Sequence, residues 1–258
     1  MGEIREAGAY MKPFTVRMLE SAKRRESRVV LALDISGPIE ERLARAASIL
    51  ERTKSAVAAV KLNHHLLLPL GLEGVKSIII ECREEGLPLI ADLKLNDIES
   101  TNMNVAESLL HYGFDALIAS PLAGSEEGLG KVVQRFHAAG SGILLLVHMS
   151  HRGAEETYSL QTSGGEPLYR LFARWARSWG VDGVVVSAKS GDRIAEVRQI
   201  VGRECLVFSP GVGAQGGMAS EAMSSGADFI MVGRGITEAS DPAKAAMMFR
   251  RQGRYETR

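Results

Sequence analysis

The chain has little cysteine, few aromatic residues and no excess of either charge. Its 258 residues include two cysteines, 5% aromatic residues, and 31 basic residues against 31 acidic ones. Cys82 and Cys205 stand alone, without the spacing of a metal site, which suits a reducing cytosol. Zero formal net charge gives no electrostatic reason to expect nucleic acid or an anionic membrane as a partner.

Long apolar runs are also missing. No stretch approaches the roughly 20 apolar residues that a membrane-spanning helix needs. The first residues include Glu3, Arg5 and Lys12 and lack the apolar segment of a signal peptide. With 45% hydrophobic and 24% charged residues, the composition is typical of a globular protein. We therefore expect a cytoplasmic protein with no membrane and no nucleic-acid partner.

Beyond residue 28 the chain alternates between two kinds of segment. Apolar, β-branched runs predict strands, and a segment with helical periodicity follows each of them. The predicted strands are Val29–Asp34, Ala58–Asn63, Leu87–Leu95, Ala116–Pro121, Gly142–Ser150, Gly183–Ala188, Cys205–Val212 and Asp228–Gly233. The predicted helices are 38–54, 70–85, 98–112, 125–139, 167–179, 192–201, 218–225 and 241–252. Eight such pairs favour a (β/α)8 TIM barrel over a doubly wound open sheet, which more often has five to seven strands.

The pattern predicts a single catalytic domain with short flanking segments. Residues 1–28 form an N-terminal extension that is basic on balance and expected to be partly helical. Residues 29–253 form the barrel, and residues 254–258 form a C-terminal tail. No linker or second core separates the barrel into parts.

Charged residues collect where three consecutive predicted strands end. They are Asp34, Lys61, Asp92, Lys94 and Asp97. Because active sites of barrels lie at the carboxyl ends of the strands, these residues are expected to meet at one mouth. Side chains alternate along a strand, so Asp92 and Lys94 are expected to point the same way. One such charge is often only a turn residue, but five of alternating sign predict a reaction centre.

A glycine-rich stretch follows the seventh predicted strand. Gly211–Gly217 matches G-x-G-x-x-G, which elsewhere marks a dinucleotide site, but that motif belongs to the first unit of a Rossmann fold. In a barrel, the loops after strands 7 and 8 form a recurrent phosphate site. Gln215 can donate a hydrogen bond through its side-chain amide, and Arg234 can bind an anion through two guanidinium nitrogens. We therefore predict phosphate binding here, against the alternative of a flexible turn beside a surface arginine.

A second loop is long for its place in the chain. Residues 151–166 are polar and follow the fifth predicted strand. Loops of this length are often lids over active sites, although a tolerated insertion has the same appearance.

Seven motifs in one order resemble the orotidine 5′-phosphate decarboxylase family, from about Val29 to Met247. They are Leu31-Ala-Leu-Asp34, Val60-Lys-Leu-Asn63, Asp92-Leu-Lys-Leu-Asn-Asp-Ile98, Ser120-Pro-Leu-Ala-Gly124, Met149-Ser-His-Arg-Gly-Ala154, Ser209–Gly217 and Val232-Gly-Arg-Gly-Ile236. The third, D-x-K-x-x-D-I, is the most specific signature of the family. The resemblance implies decarboxylation of orotidine 5′-monophosphate to UMP and CO2 in de novo pyrimidine synthesis.

The resemblance also implies roles for the charged residues. Lys94 would deliver a proton to C6 of the pyrimidine as CO2 leaves, through a C6 carbanion. Asp92 would sit beside the substrate carboxylate. Asp34 and Lys61 would complete the charged network and bind ribose hydroxyls. Members of the family use no metal and no organic cofactor, so none is expected here.

Further residues receive roles in substrate binding and assembly. Members of the family are homodimers with shared sites, so Asp97, Ile98 and Thr101 would reach the site of the neighbouring subunit. Ser150 would hydrogen-bond the pyrimidine ring.

The phosphate end is assigned in the same way. The glycine-rich backbone, with Gln215 and Arg234, would hold the 5′-phosphate. Pro210 and Gly233, at the ends of the seventh and eighth predicted strands, are assigned to substrate binding with them.

Two alternatives remain from the sequence. Sister barrels of the 3-keto-L-gulonate 6-phosphate decarboxylase and hexulose-phosphate synthase type share D-x-K-x-x-D and use Mg²⁺, but they follow the second aspartate with Ala-Gly. This chain has Ile98-Glu99 there. The other alternative is a barrel that binds a phosphate ligand without catalysis.

Overall fold

The structure is a computed structural model that describes residues 11–213 and 216–253. Its strands are β1 Val29–Ala32, β2 Ala59–Asn63, β3 Leu89–Leu95, β4 Ala116–Ala119, β5 Gly142–His148, β6 Gly183–Val186, β7 Leu206–Pro210 and β8 Phe229–Val232. Each strand pairs in parallel with the next, and β8 pairs with β1, with Val29 opposite Ile230. The closed eight-stranded barrel confirms the predicted (β/α)8 fold.

Helices surround the barrel between the strands. They are α1 Pro13–Arg25, α2 Ile39–Thr53, α3 His64–Gly74, α4 Lys76–Glu84, α5 Glu99–Tyr112, α6 Gly130–Ala138, α7 Ala154–Tyr158, α8 Leu168–Ser178, α9 Gly191–Val201, α10 Ala219–Ser224, α11 Arg234–Thr237 and α12 Pro242–Gln252. A 3₁₀ turn at Pro121–Ala123 and a π-helical turn at Ser125–Leu129 precede α6. Among the residues that the structure describes, no helix combines the length and apolar character that a bilayer crossing requires.

The single helix predicted over residues 70–85 is wrong, because two helices occupy this region. The first, α3, begins directly after β2, where the Asn63 side chain accepts a hydrogen bond from the His65 N–H at 2.9 Å. Gly71 then has φ of 67° and ψ of 175°, a conformation that breaks a helix but that glycine adopts freely. The second helix, α4, packs the apolar side chains of Ile78 and Ile79 into the core.

The helix α1 closes the amino-terminal end of the barrel. Phe14, Met18 and Ala22 are buried among the side chains that point into the barrel from the strands. A Cβ atom on Gly142 at the start of β5 would lie 2.4 Å from the Phe14 ring, so only glycine fits there. Ser21 Oγ donates to the Ala58 carbonyl at 2.6 Å. The helix therefore shares the core of the barrel.

One arrangement repeats along the amino-terminal rim. An aspartate directly precedes each of β4, β6 and β8, and its Oδ2 accepts a hydrogen bond from a main-chain N–H near the start of the previous strand. The pairs are Asp115 with Leu89 at 2.9 Å, Asp182 with Ile143 at 2.9 Å, and Asp228 with Val207 at 2.7 Å. The side chains beside these carboxylates are Arg17, His137 and Arg198. At the equivalent place before β2 stands Ala58, and Ser27 Oγ accepts the Val29 N–H instead. The aspartate contact thus recurs at every second strand of the amino-terminal rim, before β4, β6 and β8.

We expect Asp228→Asn to lower the free energy of unfolding by about 1–3 kcal/mol, since the Arg198 guanidinium loses a partly buried charged partner. At roughly 2–4 °C of melting temperature per kcal/mol, calorimetry would resolve the change. The matched control is Lys76→Gln, because the Lys76–Glu73 pair is more than half exposed on both sides and is expected to contribute little. Equal melting temperatures for the two variants would contradict a stabilising role of the rim.

Candidate active site

A cavity of about 410 Å³ opens at the carboxyl ends of the strands. We call it the mouth cavity. Eight of the residues that the sequence analysis assigned to a site line it: Asp34, Lys61, Asp92, Lys94, Ser150, Pro210, Gly233 and Arg234. They come from β2, β3, β7, the loops after β1, β5 and β8, and the first residue of α11. The barrel thus brings together residues that lie up to 200 positions apart, from Asp34 to Arg234.

Four charged side chains form a linear network in the wall of the mouth cavity. Lys61 Nζ lies 3.1 Å from Asp34 Oδ1 and 2.7 Å from Asp92 Oδ2. Lys94 Nζ lies 2.7 Å from the other carboxylate oxygen, Asp92 Oδ1. The charges therefore alternate along Asp34, Lys61, Asp92 and Lys94, which we call the charge network. Each ammonium has a carboxylate partner, and this pairing makes burial of the charges tolerable.

Burial and pairing act in opposite directions on the two central groups. Burial disfavours the charged form of Asp92, but the positive charges of Lys61 and Lys94 outweigh it and lower the pKa of Asp92 to about 2. Burial likewise disfavours the ammonium of Lys61, and the attraction of Asp92 and then Asp34 outweighs it and raises the pKa of Lys61. Both groups are therefore charged at neutral pH. The network holds fixed charges in the wall of the mouth cavity.

The backbone between Asp92 and Lys94 departs from a regular strand. Asp92 pairs with Ile118, whereas the next paired residue, Leu95, lies opposite Ala119, so β3 bulges between them. Lys94 has φ of 48°, in the left-handed region that residues other than glycine rarely adopt. Such a conformation costs of order 1–3 kcal/mol and persists where the surroundings hold it. The prediction that the two side chains point the same way is correct, since both line the mouth cavity, but the extended backbone on which it was based is wrong at Lys94. The two side chains meet because the bulge turns Lys94 toward Asp92.

The structure does not bring Asp97, Ile98 and Thr101 into the mouth cavity of their own chain. All three are exposed at the start of α5. Asp97 Oδ1 accepts the Ile98 N–H at 2.7 Å, and no ion pair joins Asp97 to a cation anywhere in residues 11–213 or 216–253. Asp92 is thus the only one of the two signature aspartates that contacts Lys94 within the described chain.

The loops after β7 and β8 form a second, glycine-rich wall of the same cavity. Gly211 has φ of 94°, and a Cβ atom on Gly217 would lie 2.9 Å from the Gly211 carbonyl oxygen. Glycine is therefore required for this tight turn. Arg234 is exposed, and its guanidinium contacts no acceptor among the described residues, so it can receive an anion. Gln215, the other predicted phosphate ligand, lies outside the described residues.

Several residues of the mouth cavity went unrecognised in the sequence. Ile118, Leu146, Val185 and Met231 form an apolar floor from the strand interiors. In the sequence they cannot be distinguished from other core residues, because an inward-facing strand residue is apolar whether or not a cavity lies above it. His65 also lines the cavity. In the described part of the chain, no group of three histidine, cysteine or carboxylate side chains could hold a metal ion.

Comparison with known proteins agrees with this geometry. The profile of the Orotidine 5′-phosphate decarboxylase / HUMPS family matches residues 27–249. Orotidine 5′-phosphate decarboxylase from Methanosarcina barkeri is 33% identical over 222 residues, which are 86% of this chain and 92% of that protein. The corresponding protein from Thermococcus kodakarensis is 36% identical and covers 86% of this chain and 94% of its own.

Solved structures give the same result. The crystal structure of orotidine 5′-phosphate decarboxylase from Pyrococcus horikoshii matches with a TM-score of 0.72 and 31% identity, over 88% of this chain and 99% of that one. The resemblance predicted from the sequence motifs is confirmed, and the chain belongs to the orotidine 5′-phosphate decarboxylase / HUMPS family.

Proposed function

We propose that this enzyme converts orotidine 5′-monophosphate to UMP and CO2, a step of de novo pyrimidine synthesis in the cytoplasm. The observation that carries the proposal is the charge network in the wall of a cavity whose rim also presents the unpaired cation Arg234. The relatives named above bear this activity in their names. The direct test is the loss of orotidylate absorbance on incubation with the purified protein. A flat absorbance trace with folded protein would contradict the proposal and favour a barrel that only binds its ligand.

The phosphate group of the substrate is proposed to bind at the glycine-rich wall. Arg234 supplies a guanidinium that can bind two phosphate oxygens, and Pro210 and Gly233 border the space beside it. Gln215 is assigned to the same group by the family motif. Binding energy from this remote group can be used to hold the pyrimidine in the reactive position, since it does not depend on the bond that breaks.

The pyrimidine end is proposed to lie against the charge network. Asp92 sits beside the C6 carboxylate of the substrate, while Asp34 and Lys61 bind ribose hydroxyls and Ser150 bonds the ring. The bond between C6 and the carboxyl carbon breaks, and its electron pair stays on C6 as CO2 leaves. The Lys94 ammonium attracts this developing charge and then gives one proton to C6, and the neutral amine regains a proton from solvent. This attraction is stronger in the transition state than in the substrate complex, which is the condition for catalysis.

The active enzyme is proposed to be a homodimer with shared sites. Asp97 is exposed at the mouth without a cation partner in the described chain, and the neighbouring Ile98 side chain is 65% exposed. Leu122, in the turn after β4, is 64% exposed. A second copy that covers these apolar residues would bring Asp97, Ile98 and Thr101 to the neighbouring mouth cavity. A shared site would give a role to the second signature aspartate, Asp97, which has no cation partner among the described residues.

No metal or organic cofactor is proposed for the reaction. The carboxylates of Asp34 and Asp92 already share the Lys61 ammonium, which occupies the position between them that a divalent cation would need. We therefore expect EDTA to leave the rate of orotidylate decarboxylation unchanged, measured as the initial fall in absorbance with and without the chelator.

The control for this prediction tests whether the protein instead catalyses the Mg²⁺-dependent reaction of the sister enzymes. The protein is incubated with 3-keto-L-gulonate 6-phosphate and Mg²⁺, and CO2 release is followed. Turnover that requires Mg²⁺ and stops with EDTA would contradict the metal-free proposal. Ile98-Glu99 after the second aspartate, in place of the Ala-Gly of that group, leads us to expect no such turnover.

A further inference from the structure

One charged cluster near the mouth cavity takes no part in the proposed reaction. Arg193, in the first turn of α9, donates through Nη2 to Glu155 Oε2 at 2.7 Å and through Nη1 to Glu155 Oε1. The same Nη1 lies 2.8 Å from His148 Nε2. The guanidinium also lies over the Tyr169 ring, with Cζ 5.4 Å from its centroid. Arg193 thus joins three elements: the end of β5, the short helix α7 and the start of α8.

His148 acts as an acceptor in this cluster. Arginine has only donors, so the hydrogen bond requires a lone pair on Nε2 and a neutral ring. Burial, together with the charge of Arg193, lowers the pKa of His148 to about 4, so the ring is neutral at physiological pH. The Arg193–His148 bond is therefore present under the conditions in which the enzyme works.

The cluster sits at the base of the segment between β5 and α8, residues 149–167. Met149, Ser150 and His151 of this segment line the mouth cavity. Only Met149 separates His148 from Ser150 in the chain. Beyond these residues, Glu155 of α7 also binds Arg193. Arg193 therefore holds the segment on both sides of its cavity-lining residues.

Arg174 of α8 forms a second bidentate pair with the segment, at Glu166 near its end, whereas α7 itself is packed loosely. Ala154 is the only buried residue of α7. The Tyr158 ring packs on the rings of His148 and Phe172, with centroid distances of 5.3 and 6.2 Å. The Glu155 carboxylate is half exposed, whereas the Arg193 side chain is only 23% exposed, so loss of this charge-assisted pair leaves the guanidinium partly buried. The α7 part of the segment is therefore held mainly by the Arg193–Glu155 pair and by the ring contacts of Tyr158.

We propose that Arg193 is a positioning residue that, through Glu155 and His148, fixes the β5–α8 segment so that Ser150 faces the substrate. Arg193 itself does not line the mouth cavity. The inference rests on the proposed function, because Ser150 needs a substrate to bind. A role in fold stability alone would leave substrate affinity unchanged, and this difference makes the two roles separable.

The test compares Arg193→Gln, Glu155→Gln and the double variant with the wild-type enzyme. Each is expected to lower kcat/KM for orotidylate by about 10- to 100-fold, as small misplacements of binding groups do. Inhibition by inorganic phosphate is expected to stay unchanged, because the phosphate wall is formed by β7, β8 and their loops. The double variant should lose no more than Arg193→Gln alone, since removal of the guanidinium already breaks the pair with Glu155. Arg193→Lys, which keeps the charge, should recover part of the loss.

Arg135→Gln is the matched control. Arg135 also binds a glutamate, Glu107, through two nitrogen atoms, but between α5 and α6, and neither residue lines the mouth cavity. This variant is expected to retain wild-type kcat/KM. Since Glu155 is an exposed residue on a short helix, Glu155→Gln provides a variant whose folding is not at risk.

A second measurement does not depend on turnover. The chain's two tryptophans, Trp175 and Trp179, stack on each other and connect through Phe172 to Tyr158 of α7. Release of the segment should expose them, so acrylamide quenching should increase in Arg193→Gln and not in Arg135→Gln. Unchanged kcat/KM in the Arg193 and Glu155 variants would overturn the positioning role, whatever the quenching shows. Absence of turnover in the wild-type enzyme would overturn the proposed function instead.

Discussion

Lys94→Ala is expected to abolish CO2 release from orotidylate while nucleotide binding persists. The variant loses both the proton donor, a contribution of about 10²–10⁴ in rate, and the cation that stabilises the C6 carbanion. We therefore expect kcat to fall by at least about 10⁴-fold. Asp92 keeps Lys61 as a partner at 2.7 Å, so its carboxylate is not left unpaired. The shape of the mouth cavity and the phosphate wall should remain.

The measurement combines CO2 release with calorimetric titration by UMP. UMP should bind Lys94→Ala with an affinity close to that of the wild-type enzyme, because its phosphate and ribose contact other residues. The matched control is Lys131→Ala, which removes an exposed lysine that pairs with Glu99 outside the mouth cavity. That variant should keep full activity. Substantial CO2 release by folded Lys94→Ala would show that another group protonates C6.

The fold was predictable because the apolar runs, the helical periodicity and their order along the chain all indicate the same architecture. Apolar β-branched runs alternate with amphipathic segments, and eight such strand–helix repeats close a barrel. The exception is residues 70–85, where the expected helix is divided. The early start of α3 depends on the Asn63 cap, and the kink inside α3 depends on the conformation of Gly71. Both are local events that periodicity does not report.

The sequence predicted which charged residues form the site better than it predicted their geometry. Asp34, Lys61, Asp92 and Lys94 were found together because several charges of alternating sign at the ends of three consecutive strands are unusual. The bulge at Lys94 was not found, since its φ of 48° accompanies a register shift against β4 and no residue type in the sequence indicates such a shift. The Arg193 cluster was also missed. Its members come from four elements, β5, α7, α8 and α9, and arginine and glutamate on a helix surface are ordinary in any sequence.

The second prediction concerns Asp97 and requires two inactive variants. Lys94→Ala and Asp97→Ala are each expected to be nearly inactive as homodimers. If Asp97 serves the neighbouring subunit, a mixed dimer has one site with both residues intact and one site with both removed. Random mixing of equal amounts gives mixed dimers in half of the population, each with one working site. We therefore expect recovery of about a quarter of wild-type activity per subunit, measured as loss of orotidylate absorbance after denaturation and refolding together.

The structure offers a control in which no recovery should occur. Asp92 and Lys94 lie 2.7 Å apart in the same chain, so they belong to the same site in any dimer. A mixture of Asp92→Ala and Lys94→Ala therefore has one defect in each site of the mixed dimer and should remain inactive. Native mass spectrometry would establish that mixed dimers are present in both experiments. Recovery in both mixtures would indicate contamination or exchange unrelated to the site. Recovery in neither would place Asp97 in its own subunit, and would require the α5 start to move, since Asp97 and Lys94 are not paired in the described chain.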